Sequence, residues 1–291
     1  MAGSPATPFG VVDAHVHLWE LAARPQPWLE LPGHEPLLRD YRAADLAPLA
    51  AAAGVRAAVA VQTVTDVEET AELLAIAAGG DLIAAVVGWV DLTGADPGAA
   101  IAALRERQGG AFLRGIRHPV LIESDPDWLL RPAVHRGLAA VAAAGLAYDL
   151  VVPSDVLPAA VAAAAACPGL AFVLDHLGNP TLSRRPDELW LTDIRALAAL
   201  PNTVCKLSGV LSEPAPAGTR GVRHLMPYFD AVLDEFGPDR LMFGSDWPVC
   251  TLGAGYPDVV KAASELTAGL SQVECAAIFS GTARRVYGLG A

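Results

Sequence analysis

The sequence predicts an α/β fold, a single (β/α)8 TIM barrel that occupies residues 1–291 as one domain. Short apolar runs alternate eight times with longer Ala/Leu-rich stretches, which is the pattern of a parallel sheet covered by helices. No break in composition marks a domain boundary, and the only repeat is the strand–helix unit. A chain of 291 residues can bury a complete barrel core, although two smaller domains would also fit this length.

The eight strands are predicted at short apolar runs that are bounded by turn residues. In chain order they cover residues 11–17, 56–64, 82–90, 112–120, 146–152, 171–177, 203–208 and 240–246. The third run is apolar on both alternating faces, as expected of a strand that is covered on both sides. Eight alternations favour a closed barrel over an open doubly wound sheet.

Helices are predicted between these strands. They cover residues 44–53, 67–78, 97–108, 131–144, the Ala-rich segment after 153, 190–200, 222–235 and stretches from 256 onward. The uncharged segment 156–174 approaches the length of a membrane span, but Pro158 and the Pro168-Gly169 step interrupt it and favour a helix followed by a strand. The longest irregular pieces, 19–42 and 208–221, both follow strands, where the loops of a barrel carry its chemistry.

The charge balance argues against several classes of partner. Lys and Arg total 20 against 32 Asp and Glu, a formal net charge of -12 that repels a phosphate backbone or an anionic membrane. We therefore expect neither a nucleic-acid nor a membrane partner. The sequence contains neither a Gly-x-Gly-x-x-Gly fingerprint nor a phosphate-binding loop, so no nucleotide cofactor is predicted. Its oligomeric state is not encoded in any pattern that we recognise.

The cysteines and the N-terminal segment bear on the cellular compartment. The four cysteines, at positions 167, 205, 250 and 275, are widely spaced and predict reduced thiols rather than a disulfide framework or a closed zinc site. Residues 1–10 lack the basic start and apolar stretch of a signal peptide. Both observations favour a cytoplasmic protein.

Three histidines and one aspartate mark a candidate active site at the predicted strand ends. His15 and His17 lie two apart on the first strand, so both side chains point to the same face. His176 ends the sixth strand and Asp246 ends the eighth. A barrel brings these ends to a common point, where imidazole and carboxylate groups suit a divalent metal or general acid–base chemistry without one.

Other side chains at strand ends are candidate substrate contacts. Arg117 and His118 lie on the fourth strand, Asp149 on the fifth and Lys206 on the seventh. A cation here can polarise a carbonyl or hold an acidic group, or it can form a structural ion pair inside the barrel, and Asp149 could pair with either cation.

Aromatic and hydroxyl side chains complete the candidate pocket. Trp19, Trp28 and Trp247 adjoin the predicted barrel mouth and are candidate pocket walls, although an aromatic residue is more often plain core. Ser208 and Ser245 do not stand in a Gly-x-Ser-x-Gly elbow, which argues against a serine nucleophile.

Four sequence segments resemble the amidohydrolase superfamily, of amidohydrolase-2 type, and more narrowly its sugar-lactonase and muconolactone-type lactonase branch. They are Val12-Asp13-Ala14-His15-Val16-His17, Gly115-Ile116-Arg117-His118, Leu174-Asp175-His176-Leu177-Gly178 and Phe243-Gly244-Ser245-Asp246-Trp247-Pro248. The resemblance extends from the first strand to the eighth and so covers nearly the whole chain. It departs from many metal-dependent members, which carry a ligand His or carboxylated Lys on strand four or five.

The resemblance implies a hydrolase of carbohydrate catabolism or aromatic breakdown that opens a small lactone by water attack at the carbonyl. Asp246 would accept a proton from water, and His176 and Arg117 would act beside it. One divalent metal, zinc by resemblance, would be held by His15, His17 and Asp246, although similar lactonases also work without a metal. The alternatives are a non-oxidative decarboxylase of an aromatic acid and a barrel that binds a small molecule without turnover.

Overall fold

The computed structural model describes residues 10–209 and 221–290, and within them eight parallel strands form one sheet in sequence order. The strands are β1 Val11–Val16, β2 Val55–Val61, β3 Ile83–Gly88, β4 Leu113–Pro119, β5 Ala147–Val151, β6 Phe172–Leu174, β7 Thr203–Leu207 and β8 Leu241–Phe243. Each strand pairs in parallel with the next one along the chain, from β1–β2 to β7–β8.

The sheet closes on itself through the backbone that follows β8. Val16 forms a parallel bridge with Trp247, the His17 amide donates to the Trp247 carbonyl at 2.6 Å, and the Asp246 amide donates to the His15 carbonyl at 2.9 Å. The first and last strands are thereby joined, and the predicted (β/α)8 barrel is confirmed.

Helices follow the strands and cover the outside of the sheet. They are α1 Ala43–Ala52, α2 Val67–Ala78, α3 Pro97–Arg105, α4 Pro132–Ala143, α5 Leu157–Ala166, α6 Glu188–Ala198, α7 Met226–Phe236, α8 Tyr256–Leu266, α9 Gln272–Ala276 and α10 Thr282–Tyr287. Aspartate caps begin several of them: Asp66 accepts from the amide of Glu68, and Asp96 from that of Ala99. None of the helices in the described ranges combines the length and apolar composition needed to cross a bilayer.

The hydrophobic core has two layers. The larger one lies between the sheet and its helices, and the smaller one fills the barrel itself with side chains such as Val12, Val59 and Met242. Ala283 and Tyr287 of α10 belong to the inner layer. The barrel is therefore a packed core rather than a pore.

Two predicted strands are shorter than expected because the chain turns at their ends. Strands at 171–177 and 240–246 were predicted, but β6 ends at Leu174 and β8 at Phe243. His176, Leu177 and Asp246 have φ angles of 55°, 54° and 61°, a left-handed conformation that extended strands exclude. Such strained residues gather at functional sites, where the surrounding structure enforces them.

A third strand, predicted at 56–64, ends at Val61 for a different reason. The backbone amides of Thr63 and Val64 donate to the carboxylate of Glu69, at the start of α2, instead of to a neighbouring strand. The predicted irregular piece 208–221 lies mostly outside the described residues.

Candidate active site

A bulge in β1 aims the paired histidines into the barrel. Asp13 pairs with Ala58 but Val16 pairs with Ala60, so β1 contains one more residue than β2 over this stretch. Val12 and Ala14 face the interior of the barrel. Regular alternation along the strand would therefore turn His15 and His17 outward. The extra residue changes the alternation, and His15 enters the barrel, where it lies 3.1 Å from the ammonium of Lys206.

Asp13 holds this bulge from outside the inner layer. Its carboxylate accepts hydrogen bonds from the backbone amides of His15 at 3.2 Å and Ser245 at 2.8 Å, and from the hydroxyl of Tyr256 on α8 at 3.0 Å. Burial raises the pKa of Asp13 to about 6, against the opposing effect of its hydrogen bonds. Asp13 thus links β1, the segment that follows β8 and helix α8 by hydrogen bonds beneath the histidines.

His15, His17 and Asp246 face one another across the barrel mouth. The two histidine Nε2 atoms are 3.1 Å apart, and Asp246 Oδ1 lies 3.4 Å from His17 Nε2 and 3.7 Å from His15 Nε2. Burial would raise the pKa of Asp246, but the imidazoles of His176 and His17 lower it to about 2. Asp246 is therefore an anion at neutral pH.

His176 joins this cluster from the end of β6. Its ring centroid lies 4.6 Å from that of His15, and its Nδ1 contacts the Ser208 hydroxyl at 2.9 Å. Burial lowers the pKa of His176, so the imidazole favours its neutral form. The structure thus brings together all four residues on which the sequence prediction centred.

Asp175 is the hub that links the cations of the site, and it was not among the predicted site residues. Its carboxylate lies 3.1 Å from Arg117 Nη1, 2.9 Å from Lys206 Nζ and 3.4 Å from His15 Nδ1. Burial would raise the pKa of Asp175, but Lys206 and the neighbouring His15 and Arg117 hold it well below its usual range. The available signal was its position beside His176 at the end of an apolar strand.

Lys206 and Asp149 form a buried ion pair below the pocket floor. Their side chains are fully buried, 2.5 Å apart, and the Tyr287 hydroxyl of α10 donates to Asp149 at 2.8 Å. Burial raises the pKa of Asp149 to about 6 in spite of Lys206. Both residues were predicted as substrate contacts, but neither lines the described part of the pocket, so their position is that of a structural pair.

Arg117 reaches the floor of the pocket from β4. Its guanidinium contacts Asp175 and also donates to Gln62, which follows β2. Arg117 Nη2 bonds the backbone carbonyl of Gln62 and lies 3.1 Å from the side-chain oxygen of the same residue. Its Nε is buried without a hydrogen-bond partner among the described residues. Arg117 is therefore fixed in place and retains one donor.

The pocket above these groups has a volume of about 660 Å³. Its floor includes His17, Arg117, His176 and Asp246, and Trp28 forms part of its wall.

Two of the three predicted wall tryptophans lie elsewhere. Trp19 and Trp247 are 4% and 2% exposed and both pack on Tyr41, with ring centroids 5.0 and 5.3 Å from it. Neither lines the described pocket.

His118 lies outside the cluster. It follows Arg117 directly on β4 and therefore points to the opposite face, where Trp128 stacks on it at 4.1 Å. Trp89 Nε1 donates to its Nδ1 at 3.0 Å, and its Nε2 lies 2.9 Å from Glu123. The predicted substrate contact at His118 does not match this position, because both ring nitrogens already have partners.

The sequence profile of the amidohydrolase family matches residues 12–289. The chain belongs to the amidohydrolase family.

Relatives of this amidohydrolase include lactonases. An L-fucono-1,5-lactonase of Burkholderia multivorans is 40% identical over 288 residues, 96% of each chain, and one of Burkholderia ambifaria is 39% identical over 249 residues, 85% of this chain and 83% of the other. The crystal structure of a Burkholderia multivorans amidohydrolase with bound zinc superposes with a TM-score of 0.89 at 38% identity, covering 96% of this chain and 99% of that one.

The residues of this amidohydrolase fit a single divalent ion. His15 Nε2, His17 Nε2 and Asp246 Oδ1 form a triangle with edges of 3.1, 3.4 and 3.7 Å. Nitrogen and oxygen ligands placed tetrahedrally around zinc lie roughly 3.3–3.5 Å apart. His17 Nδ1 also contacts the Val61 carbonyl at 2.8 Å, the outer contact that orients a ligating imidazole.

The four cysteines of the amidohydrolase take no part in this centre. All four are free thiols in the structure, and none contributes to a group of potential metal ligands within the described ranges.

Proposed function

We propose that this amidohydrolase opens a sugar lactone, L-fucono-1,5-lactone in the first instance, by adding water to the lactone carbonyl. The observation that carries the proposal is the convergence of two imidazoles, a carboxylate and a guanidinium at one pocket floor, with the imidazole of His15 buried beside them, in a chain 40% identical to an L-fucono-1,5-lactonase. Water adds its hydroxyl to the acyl carbon, and the ring oxygen leaves as an alcohol with a proton.

Asp246 is the proposed base. Its pKa of about 2 keeps it ionised, and its carboxylate lies in the pocket floor where it can accept a proton from the attacking water. So weak a base is sufficient only if the carbonyl is strongly polarised. We assign that role to the positive charge of Arg117, whose guanidinium is held in the pocket floor by Asp175 and Gln62, together with the neighbouring His176.

We also propose that His15, His17 and Asp246 hold one divalent ion, zinc in the first instance. When bound, the ion would supply Lewis-acid polarisation of the carbonyl and a more acidic water. Metal analysis after loading with zinc and desalting tests the assignment independently of activity. We expect about one zinc per chain in the wild type and a clear reduction in His17→Ala; equal zinc content in both proteins contradicts it.

The charges that line the pocket favour a neutral, polyhydroxylated lactone over a lactone dicarboxylate. Among the described residues, the arginines of the pocket are already paired: Arg24 with Asp66 and Glu72, and Arg117 with Asp175. An acidic ligand would find no unpaired arginine among these described residues. Threonine, histidine and aspartate side chains near the mouth can instead bond sugar hydroxyls: His34, Thr63, Thr65 and Asp66.

The Asp246→Asn variant tests the chemistry. We expect kcat for L-fucono-1,5-lactone to fall by at least about 10²-fold, on the usual size of an acid–base contribution, with the melting temperature near that of the wild type. Asp258→Asn, an exposed aspartate on α8, is the matched control and should leave kcat unchanged. An unchanged kcat in Asp246→Asn removes this residue from the mechanism.

Product analysis separates lactone opening from the competing reactions. Ring-opened hydroxy acid and one released proton per turnover support the proposal. Carbon dioxide release from an aromatic acid, without turnover of any lactone, would support a decarboxylase instead. Ligand binding without turnover of either class would support a binding protein.

A further inference from the structure

Among the described residues, three exposed apolar side chains line the mouth of the active-site pocket. Leu31, Leu121 and Ile122 are 55%, 52% and 64% exposed, and all three line the pocket. We call these three residues the apolar rim. A single exposed leucine is ordinary, but several apolar side chains gathered at one mouth mark a surface that receives an apolar group.

The rim comes from two loops that the barrel brings together. Leu31 lies in the long segment between β1 and α1, whereas Leu121 and Ile122 follow β4 directly. Both loops emerge at the carboxyl ends of parallel strands, the end of the barrel that also carries Asp246. The rim is therefore part of the site's own entrance and not a separate surface.

Apolar wall residues connect the rim with the pocket floor. Trp28, Pro119, Val151 and Val249 line the same pocket between the loops and the strand ends. The pocket volume of about 660 Å³ is typical of sites that enclose a drug-sized ligand, more than a single six-membered ring requires. The space beyond a bound lactone ring is thus bounded in part by hydrocarbon.

We propose that this site also hydrolyses lactones with an alkyl substituent, whose chain lies against the apolar rim while the ring occupies the floor. The inference rests on the proposed lactonase function and extends its substrate class. The reaction is the same: water adds across the acyl carbon–oxygen bond, the hydroxyl joins the acyl carbon, and the proton goes to the ring oxygen. The product is a hydroxyalkanoic acid.

A homologous substrate series measures the contribution of the rim. The series consists of δ-lactones with a methyl, propyl or pentyl group on the ring carbon that bears the ring oxygen. Complete burial of a methylene is worth about fourfold in kcat/KM, from about 0.8 kcal/mol. Because the rim residues remain about half exposed, we expect about twofold to threefold per methylene.

Rim variants show whether the gain arises at this surface. In Leu121→Asn and Ile122→Asn, we expect the ratio of kcat/KM between pentyl and methyl lactones to fall by at least about threefold. Leu189→Asn is the matched control, since Leu189 is 76% exposed and does not line the pocket. Exposed substitutions of this kind change stability by at most about 0.5 kcal/mol, so the variants should fold.

The outcomes separate the inference from the function on which it rests. A rise in kcat/KM with chain length that the rim variants reduce and Leu189→Asn retains supports the inference. A flat series in an enzyme that turns over the sugar lactone, or an equal rise in all variants, overturns it alone. Failure to hydrolyse any lactone, sugar lactones included, overturns the proposed function and the inference together.

Discussion

The buried lysine inside the barrel offers a direct test of how the site is held together. Lys206 is fully buried and lies 2.5 Å from Asp149 and 2.9 Å from Asp175. In Lys206→Met, Asp175 keeps Arg117 at 3.1 Å, but the partner that Asp149 keeps among the described residues is the neutral Tyr287 hydroxyl. Removing one partner of a buried ion pair lowers the free energy of unfolding by about 3–5 kcal/mol.

The expected change in melting temperature follows from the chain length. At roughly 2.1 cal/mol/K per residue, the unfolding entropy of 291 residues is about 0.6 kcal/mol/K, so Lys206→Met should melt about 5–8 °C lower. The loss should be larger at pH 8 than at pH 5. Asp149 has a pKa of about 6 beside Lys206, so at the lower pH it takes up a proton and no longer needs the cation.

Two further variants make this prediction specific. Lys261→Met removes an exposed lysine whose ammonium lies 3.7 Å from Glu265, and it should change the melting temperature by less than about 1 °C. Asp149→Asn, added to Lys206→Met, should recover part of the loss because the unpaired charge disappears. Differential scanning fluorimetry at both pH values is sufficient. Equal shifts in Lys206→Met and Lys261→Met would refute the argument.

Three other predictions address the loops and the histidines. Ser208→Ala, which removes the 2.9 Å contact to His176, should lower kcat about tenfold with little change in KM, measured by steady-state kinetics. Gln26→Ala removes the side-chain oxygen that accepts a hydrogen bond from Trp28 Nε1 at 2.8 Å, so the indole in the pocket wall loses its anchor. We expect KM to rise more than kcat falls. An unchanged KM would contradict a role of Trp28 in substrate binding. Glu69→Gln should lose about 1–3 kcal/mol of stability at pH 5, because one amide donor loses its acceptor. In chemical denaturation this loss should shrink as the pH is raised: burial raises the pKa of Glu69, so the wild type itself loses stability as Glu69 ionises.

Parts of the site could be predicted from the sequence because strand periodicity and topology are local rules. His15 and His17 lie two apart, so their shared face followed from the strand period, and barrel closure brought them to His176 and Asp246. The same rule, applied to Arg117 and His118, would have placed only one of these neighbours inside the barrel.

Other parts depended on contacts between distant segments. Which face the paired histidines occupy was decided by the bulge after Asp13, and a bulge leaves no reliable mark in the sequence. Whether Lys206 and Asp149 contact substrate or one another depended on the depth of each side chain, and Asp175 became the hub only once both cations lay beside it.

The sequence by itself determined the alternation of strands and helices, the closed barrel and the set of polar groups at the strand ends. These follow from hydrophobic periodicity, which acts over a few residues and so can be read from any window of the chain. Tertiary structure alone decided which polar groups face the pocket and which satisfy each other beneath it. Desolvation, ion pairing and packing depend on neighbours far away in the chain, and those neighbours exist only when the barrel has closed.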